Sequence, residues 1–204
     1  MKLLKFCILT FTLLFVYSCT QEQQNQVLPY IEISVDNKTF KMDSVMAVYD
    51  DSARVMSLIG AKYSGGRTQH LIAIGFEFST ATQTPKTYSA IKTPIEMIAI
   101  YMDTSSAYST ATLDSLGNPS SPIGTGILNL TSHNLALRTI AGNFELRPKE
   151  INPQTWEPKT KTIQIKGSFQ SYYVFLARGS QPPVPLKIVP NLHDKILPTT
   201  RKQR

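Results

Sequence analysis

Short runs of apolar, β-branched and aromatic residues, many of them alternating with polar residues, recur from Tyr30 onward and are separated by turn residues. This pattern is typical of half-buried β-strands joined by tight turns. It predicts strands at 30–35, 39–41, 45–49, 54–62, 69–78, 95–101, 108–113, 123–131, 137–146 and 160–176. A helix over 95–102 is the alternative at one place, because Ile95, Ile98 and Met102 also fit helical spacing. A strand is preferred there because the run is short, rich in Ile and preceded by Pro94.

No long amphipathic helical repeat occurs anywhere in the chain. We therefore expect an all-β fold for residues 30–178, an antiparallel β-sandwich or barrel-like sandwich of about ten short strands. Gly142 and Gly167 are each followed two positions later by Phe144 and Phe169. A strand glycine marks a close backbone approach, and an aromatic ring on the same face can cover it. This repeat therefore predicts a core feature and not a ligand site.

The first twenty residues have a different character. Lys2 and Lys5 precede an apolar stretch from Phe6 to Tyr17. This order is that of a secretory signal, and the stretch is too short to cross a bilayer as a helix. The segment Val16-Tyr17-Ser18-Cys19 resembles the bacterial lipobox. The resemblance implies that residues 1–18 are a lipoprotein signal peptide and that Cys19 is acylated. An ordinary cleaved signal with an incidental Cys19 is the alternative.

Cleavage before Cys19 leaves 186 residues, enough for one domain with a substantial core. Residues 19–29 then form the lipidated Cys and a Gln-rich flexible tether. No internal disulfide can form, because Cys19 is the last cysteine of the chain.

The net charge of +7 is concentrated near the ends of the chain. Residues 179–204 carry +4 and contain repeated prolines, which predicts a disordered basic tail, whereas residues 19–178 carry only +1. The domain itself therefore gives no reason to expect a nucleic acid partner. A role for the tail at an anionic surface and a tail without a role both stay open.

Residues that could carry chemistry are scattered. His70, His133 and His193 are isolated, and no second His or Cys stands at ligand spacing. No Gly-x-Ser-x-Gly motif is present. Glu77 and Glu96 lie on separate predicted strands and could face each other, as a glycosidase would require. We expect no catalytic residue, no metal site and no cofactor.

Trp156, the single tryptophan, lies in a loop bounded by Pro153 and Pro158. An exposed indole in such a loop could stack on a sugar ring or anchor a protein partner. It could equally fold over the open end of the sandwich and seal the core, which the high average burial of large aromatic residues favours.

Several elements along the chain resemble a family of small Bacteroidetes-type lipoproteins of unknown function. They are 35–40 (Val-Asp-Asn-Lys-Thr-Phe), 85–88 (Pro-Lys-Thr-Tyr), the tyrosines at 101 and 108, and the strands at 126–130, 140–144 and 165–169. The resemblance covers about residues 30–175. It implies a β-sandwich domain on an outer-membrane lipid anchor and transfers no active site.

These features together predict a lipid-anchored protein of the outer membrane, facing the periplasm or the cell surface. Its expected role is that of a non-enzymatic binding or assembly module with a glycan or an envelope protein as partner. A hydrolase of envelope glycan or peptide, with a carboxylate site assembled from distant residues, is the alternative. A structural envelope component without a ligand is a third interpretation.

Overall fold

The computed structural model describes residues 28–114 and 117–176, and these residues form an all-β domain. The predicted fold class is therefore confirmed, and the run after Pro94 is a strand and not a helix. The strands are β1 (Tyr30–Val35), β2 (Lys38–Lys41), β3 (Ser44–Asp50), β4 (Val55–Ser64), β5 (Arg67–Glu77), β6 (Lys86–Ser89), β7 (Met97–Asp103), β8 (Ala107–Ser109), β9 (Ala111–Leu113), β10 (Pro119–Pro122), β11 (Thr125–Asn134), β12 (Thr139–Arg147), β13 (Lys149–Ile151), β14 (Pro158–Thr162) and β15 (Ile165–Phe175).

The fifteen strands exceed the ten predicted, first because three short ones, β6, β10 and β13, have no alternating apolar pattern, and second because two predicted strands are divided. The single strand predicted over 108–113 is two strands that are interrupted at Thr110. The predicted strand over 160–176 likewise divides into β14 and β15.

Thirteen strands form one curled sheet with the order β14-β13-β8-β7-β5-β4-β3-β15-β12-β11-β6, and β1 and β2 branch from β15. Strands β9 and β10 form a separate hairpin. Among the described residues every pairing is antiparallel except that of β3 with β15. The long strand β15 makes the curl possible, because one edge pairs first with β1 and then with β3.

The core lies inside the curl, where alternate residues of facing strands meet. Ile72, Ile74 and Phe76 of β5 are about 1% exposed and belong to one continuous apolar cluster with the inward residues of β1, β4, β12 and β15. A continuous core of this kind supplies most of the stability, since each fully buried aliphatic or aromatic side chain contributes about 1.5–3 kcal/mol.

The two strand glycines noted above lie in this core, but each is covered from the neighbouring strand. Gly142 is paired with Phe169, and Gly167 is paired with Phe144. The rings of Phe144 and Phe169 are stacked with centroids 6.5 Å apart. In each pair, the aromatic ring occupies the space above the glycine directly opposite it, where a larger residue would have a side chain. The sequence repeat correctly indicated a core feature, but the covering ring comes from the partner strand and not from the same strand.

Lysine residues occupy the free edges of the sheet. Lys38 and Lys41 lie on β2, Lys86 lies on β6, and Lys159 and Lys161 lie on β14. Unpaired strand edges can recruit strands from other chains, and lysine opposes this because burying its charge is costly. These edges are therefore poor sites for strand addition, and a ligand site is better sought on a face of the sheet.

Candidate ligand-binding cleft

The sheet has a second apolar face on its outside, formed by β4, β5 and β7. All six residues from Met97 to Met102 are buried, so β7 is covered on both faces. Its inward residues join the main core, whereas Ile100 and Met102 belong to a second cluster with Ala107 and Ile151. The continuous apolar run in the sequence is the signal for this burial, because a strand with one solvated face alternates and this one does not.

The second cluster covers only part of the outer face, and a cleft of about 250 Å³ lies beside it, with Ile100 belonging to both. The floor is built from outward residues of adjacent strands, namely Ser57 of β4, Ala73 and Gly75 of β5, and Ile98 and Ile100 of β7. The turn at 117–119, in the β9–β10 hairpin, forms the opposite wall. The small residues on β5 leave the space, since larger side chains at these two positions would fill it.

Thr110 directs the β9–β10 hairpin over the cleft. Its carbonyl oxygen accepts hydrogen bonds from the N–H groups of Ile123 and Gly124, at 2.9 and 3.0 Å, and so turns away from β7. The Ala99 N–H therefore donates its hydrogen bond to the Thr110 hydroxyl, at 2.9 Å, and not to a backbone carbonyl. Thr110 is fully buried, and without its hydroxyl the Ala99 N–H would lack an acceptor.

Close backbone contact fixes the return of the hairpin. A side-chain carbon at Gly124 would lie 2.6 Å from the Arg147 carbonyl oxygen and 3.0 Å from the Pro148 Cα. Only glycine allows this approach. At the tip, the Asp114 carboxylate accepts hydrogen bonds from the Asn118 N–H at 2.9 Å and from the Asn118 side chain at 3.3 Å. Gly117 has a positive φ of 84°, which suits the tight turn.

Two carboxylates lie at one end of the cleft. Phe76 and Met97 are paired, Glu77 comes directly after Phe76, and Glu96 comes directly before Met97. The Glu77 N–H donates to the Glu96 carbonyl oxygen at 2.9 Å. They are therefore directly opposite neighbours on the outer face, where like charges repel. Lys92 forms a salt bridge of 2.9 Å with Glu96.

The surroundings of Glu96 keep it ionised. The hydrogen bond from Lys92 and the backbone hydrogen bond from Ser89 lower the pKa of the Glu96 carboxyl below its usual value. Glu77 and Glu96 are the only charged side chains among the described residues that line the cleft. The outer cleft thus combines a mostly aliphatic floor with a negatively charged end. The sequence raised the possibility that Glu77 and Glu96 face each other, but it did not indicate the floor, which requires three strands and a distant hairpin.

Trp156 does not line this cleft, but it packs against the second cluster, which shares Ile100 with the cleft. It is half-buried. Its backbone has a positive φ of 60°, and its N–H donates to the Asn152 carbonyl oxygen at 2.8 Å. The structure thus favours the packing interpretation of Trp156, with part of the indole left accessible. A smaller cavity of about 220 Å³ lies beside this loop, between residues 102–107 and 151–154.

The described histidines have other partners. His70 stacks on Phe40 with ring centroids 4.3 Å apart, and its Nδ1 lies 2.7 Å from the Tyr101 hydroxyl. Burial lowers the pKa of His70. His133 bridges the Tyr173 hydroxyl and the Thr82 carbonyl oxygen, at 3.0 and 3.1 Å. Each imidazole therefore joins separate chain segments.

Within residues 28–114 and 117–176, no group of three or more His, Cys, Asp or Glu residues could hold a metal ion. No helix in this part of the chain is long and apolar enough to cross a membrane. The predicted lipid attachment at Cys19, the signal peptide at 1–18, most of the tether at 19–29, His193 and the tail at 179–204 lie outside the described residues.

Comparisons with protein-family models, with curated proteins and with solved structures found no match to this chain.

Proposed function

We propose that this chain is a non-enzymatic binding or assembly module that is held at the outer membrane by lipid on Cys19. The signal-like residues 1–18 and the lipobox-like segment ending at Cys19 support the anchor. The cleft on the outer face of β4, β5 and β7 is the observation that carries the binding role. Concave, mostly apolar sites with a few polar groups at one end are typical of ligand sites.

The carboxylates of the cleft favour binding over catalysis. A glycosidase needs one carboxylic acid whose pKa is raised so that it can protonate the leaving group. Glu96 is shifted in the opposite direction by Lys92 and Ser89. Glu77 and Glu96 are neighbours on adjacent strands, so they do not stand on opposite walls around a substrate.

Radiolabelled palmitate tests the anchor. Cells that express the chain are expected to yield a labelled product in the membrane fraction, and Cys19→Ser is expected to abolish the label. Cys7→Ser is the matched control, because Cys7 lies inside the predicted signal and its loss should leave the label unchanged. An unlabelled product released into the medium from the unmodified chain would contradict the proposal.

Affinity capture tests the binding role separately. The full-length Cys19→Ser chain, which cannot be acylated at residue 19, is screened against envelope extracts and an array of envelope glycans. We expect a glycan or envelope protein, or a small envelope molecule, to be retained specifically. The absence of any ligand across these screens would leave the chain as a structural component and refute the binding role.

A hydrolase of envelope glycan or peptide is the second candidate, because Glu77 and Glu96 both line the same cleft. In that case the chain should cleave peptidoglycan fragments or envelope peptides, and Glu77→Gln and Glu96→Gln should each abolish turnover. The binding proposal expects no turnover by the unmodified chain, so one assay separates the two candidates.

A further inference from the structure

We propose that the outer cleft binds a small cationic amphiphile, with its alkyl chain along the floor of β5 and β7 and its protonated amine at Glu77. This inference deepens the proposed binding role and rests on it, but it does not depend on acylation of Cys19. It names the class of ligand, which neither the sequence nor the fold alone indicates.

The dimensions and chemistry of the floor favour an alkyl chain. The floor follows the five residues of β5 from Ala73 to Glu77, whose four steps span about 13 Å. The outward residues of β5 and β7 along it, which include Ile98 and Ile100, have aliphatic side chains or none, and the Ser57 hydroxyl of β4 is the polar group beside them. A volume of about 250 Å³ is slightly below the range of roughly 300–1,000 Å³ that is typical of small-molecule sites. The site therefore fits a slender apolar group better than an oligosaccharide, which requires polar partners and more space.

The far end of the floor closes the site. Ile100 belongs both to the cleft lining and to the second apolar cluster, which includes Ile151 and against which Trp156 packs. An alkyl chain that enters near Glu77 would therefore end against packed apolar side chains. This arrangement gives the site a direction, with its polar end at Glu77 and its apolar end at the second cluster.

The charges at the polar end determine the head group. Glu77 and Glu96 are like-charged neighbours, and the nearby lysines act on Glu96, Lys92 through its salt bridge of 2.9 Å and Lys86 through a longer-range attraction. No cationic side chain is found among the described residues that line the cleft. A ligand ammonium at Glu77 would place a positive charge beside this carboxylate and relieve the repulsion, whereas a carboxylate or phosphate would add to it. The polar end is thus complementary to an amine.

Three probes with the same alkyl chain and different head groups test this inference by calorimetric titration. They are decylamine, decanol and decanoate, added to the full-length Cys19→Ser chain below the concentration at which each probe forms micelles. We expect decylamine to bind most tightly, decanol less tightly and decanoate least. Decylamine should also change the fluorescence of Trp156, the single tryptophan, because Trp156 packs near the closed end.

Two variants test the two halves of the site. Ala73→Leu places extra carbons on the floor and should weaken binding of decylamine and decanol at least tenfold. Ala141→Leu is its control, because Ala141 lies on the outer face of β12, outside the cleft. Glu77→Gln should weaken decylamine roughly threefold, the range expected for a solvent-accessible ion pair, and leave decanol unchanged. Glu32→Gln, on β1, removes an exposed carboxylate elsewhere and should have no effect.

Several outcomes would overturn the inference. Equal affinity for the three probes would remove the role of Glu77, and binding that survives Ala73→Leu would place the ligand elsewhere. If decylamine bound only after residues 177–204 were deleted, we would conclude that these residues, and not an amphiphile, occupy the cleft of the full-length chain. If no probe binds while the affinity capture described above retains an envelope partner, this inference fails and the proposed function stands.

Discussion

Two identical substitutions, Gly142→Ala and Gly75→Ala, are expected to change stability in opposite directions. Both glycines lie inside long strands, and neither requires a positive φ. Alanine is favoured over glycine in a strand by about 0.5–1 kcal/mol, because glycine loses more conformational entropy on folding. Any difference in the free energy of unfolding between the two variants therefore reflects the space available around each glycine.

The added methyl group has no space at Gly142. It would overlap with the Asn129 carbonyl oxygen on one side, and on the other it would lie 2.8 and 2.9 Å from two carbons of the Phe169 ring. The carbonyl belongs to the backbone of β11, and Phe169 is fully buried, so neither can move cheaply. Overpacking of this kind costs about 1–3 kcal/mol, and two rigid neighbours place Gly142→Ala near the upper end.

The methyl group is accommodated at Gly75. The nearest atom is the Ile98 Cγ2 at 3.5 Å, an ordinary van der Waals contact, and the group points into the cleft. Gly75→Ala should therefore be neutral or stabilising by about 0.5 kcal/mol. Together the two variants should differ by about 3 kcal/mol in the free energy of unfolding, or by roughly 10 °C in melting temperature.

Urea unfolding of both variants and the unmodified chain, followed by circular dichroism, measures this difference. A double variant Gly142→Ala/Phe169→Leu adds a check, since a smaller side chain at 169 should recover part of the loss caused by the ring. The reasoning would be refuted if Gly142→Ala were as stable as Gly75→Ala with an unchanged dependence on urea.

Three further predictions follow from the described contacts. Thr110→Val should cost about 2 kcal/mol by leaving the buried Ala99 N–H without an acceptor, and Thr110→Ser should retain most of the stability in the same unfolding assay. Because burial lowers the pKa of His70 below 6.5, the unfolded chain binds more protons than the folded one as the pH falls below that value. Stability from this group is therefore present above pH 6.5 and lost below it, and His70→Phe should reduce the difference in urea midpoint between about pH 7.5 and about pH 5.5. Trp156→Ala should lower the free energy of unfolding by about 2 kcal/mol, because it removes the half-buried indole that packs against the second cluster. An unchanged urea midpoint would show that the indole does not stabilise this cluster.

The sequence alone was sufficient for the fold class and for most of the long strands. Alternation of apolar and polar residues indicates one buried face directly, as in β1 and β12. It also led to the correct choice of a strand after Pro94, where helical spacing was an alternative. The short strands β6, β10 and β13 were missed because few of their side chains enter the core, so pairing rather than burial defines them.

The cleft and its charges depended on the tertiary structure. The sequence raised Glu77 and Glu96 as carboxylates that could face each other, but it gives no indication that Ala73, Gly75 and Ile98 form an apolar floor beside them. The sequence also assigned the covering ring of each core glycine to its own strand, whereas the register of β12 and β15 assigns it to the neighbour. The physical reason is the same in both cases. The local pattern of apolar residues indicates which face of a strand is buried. Which residues pack against that face depends on contacts between segments that are far apart in the chain.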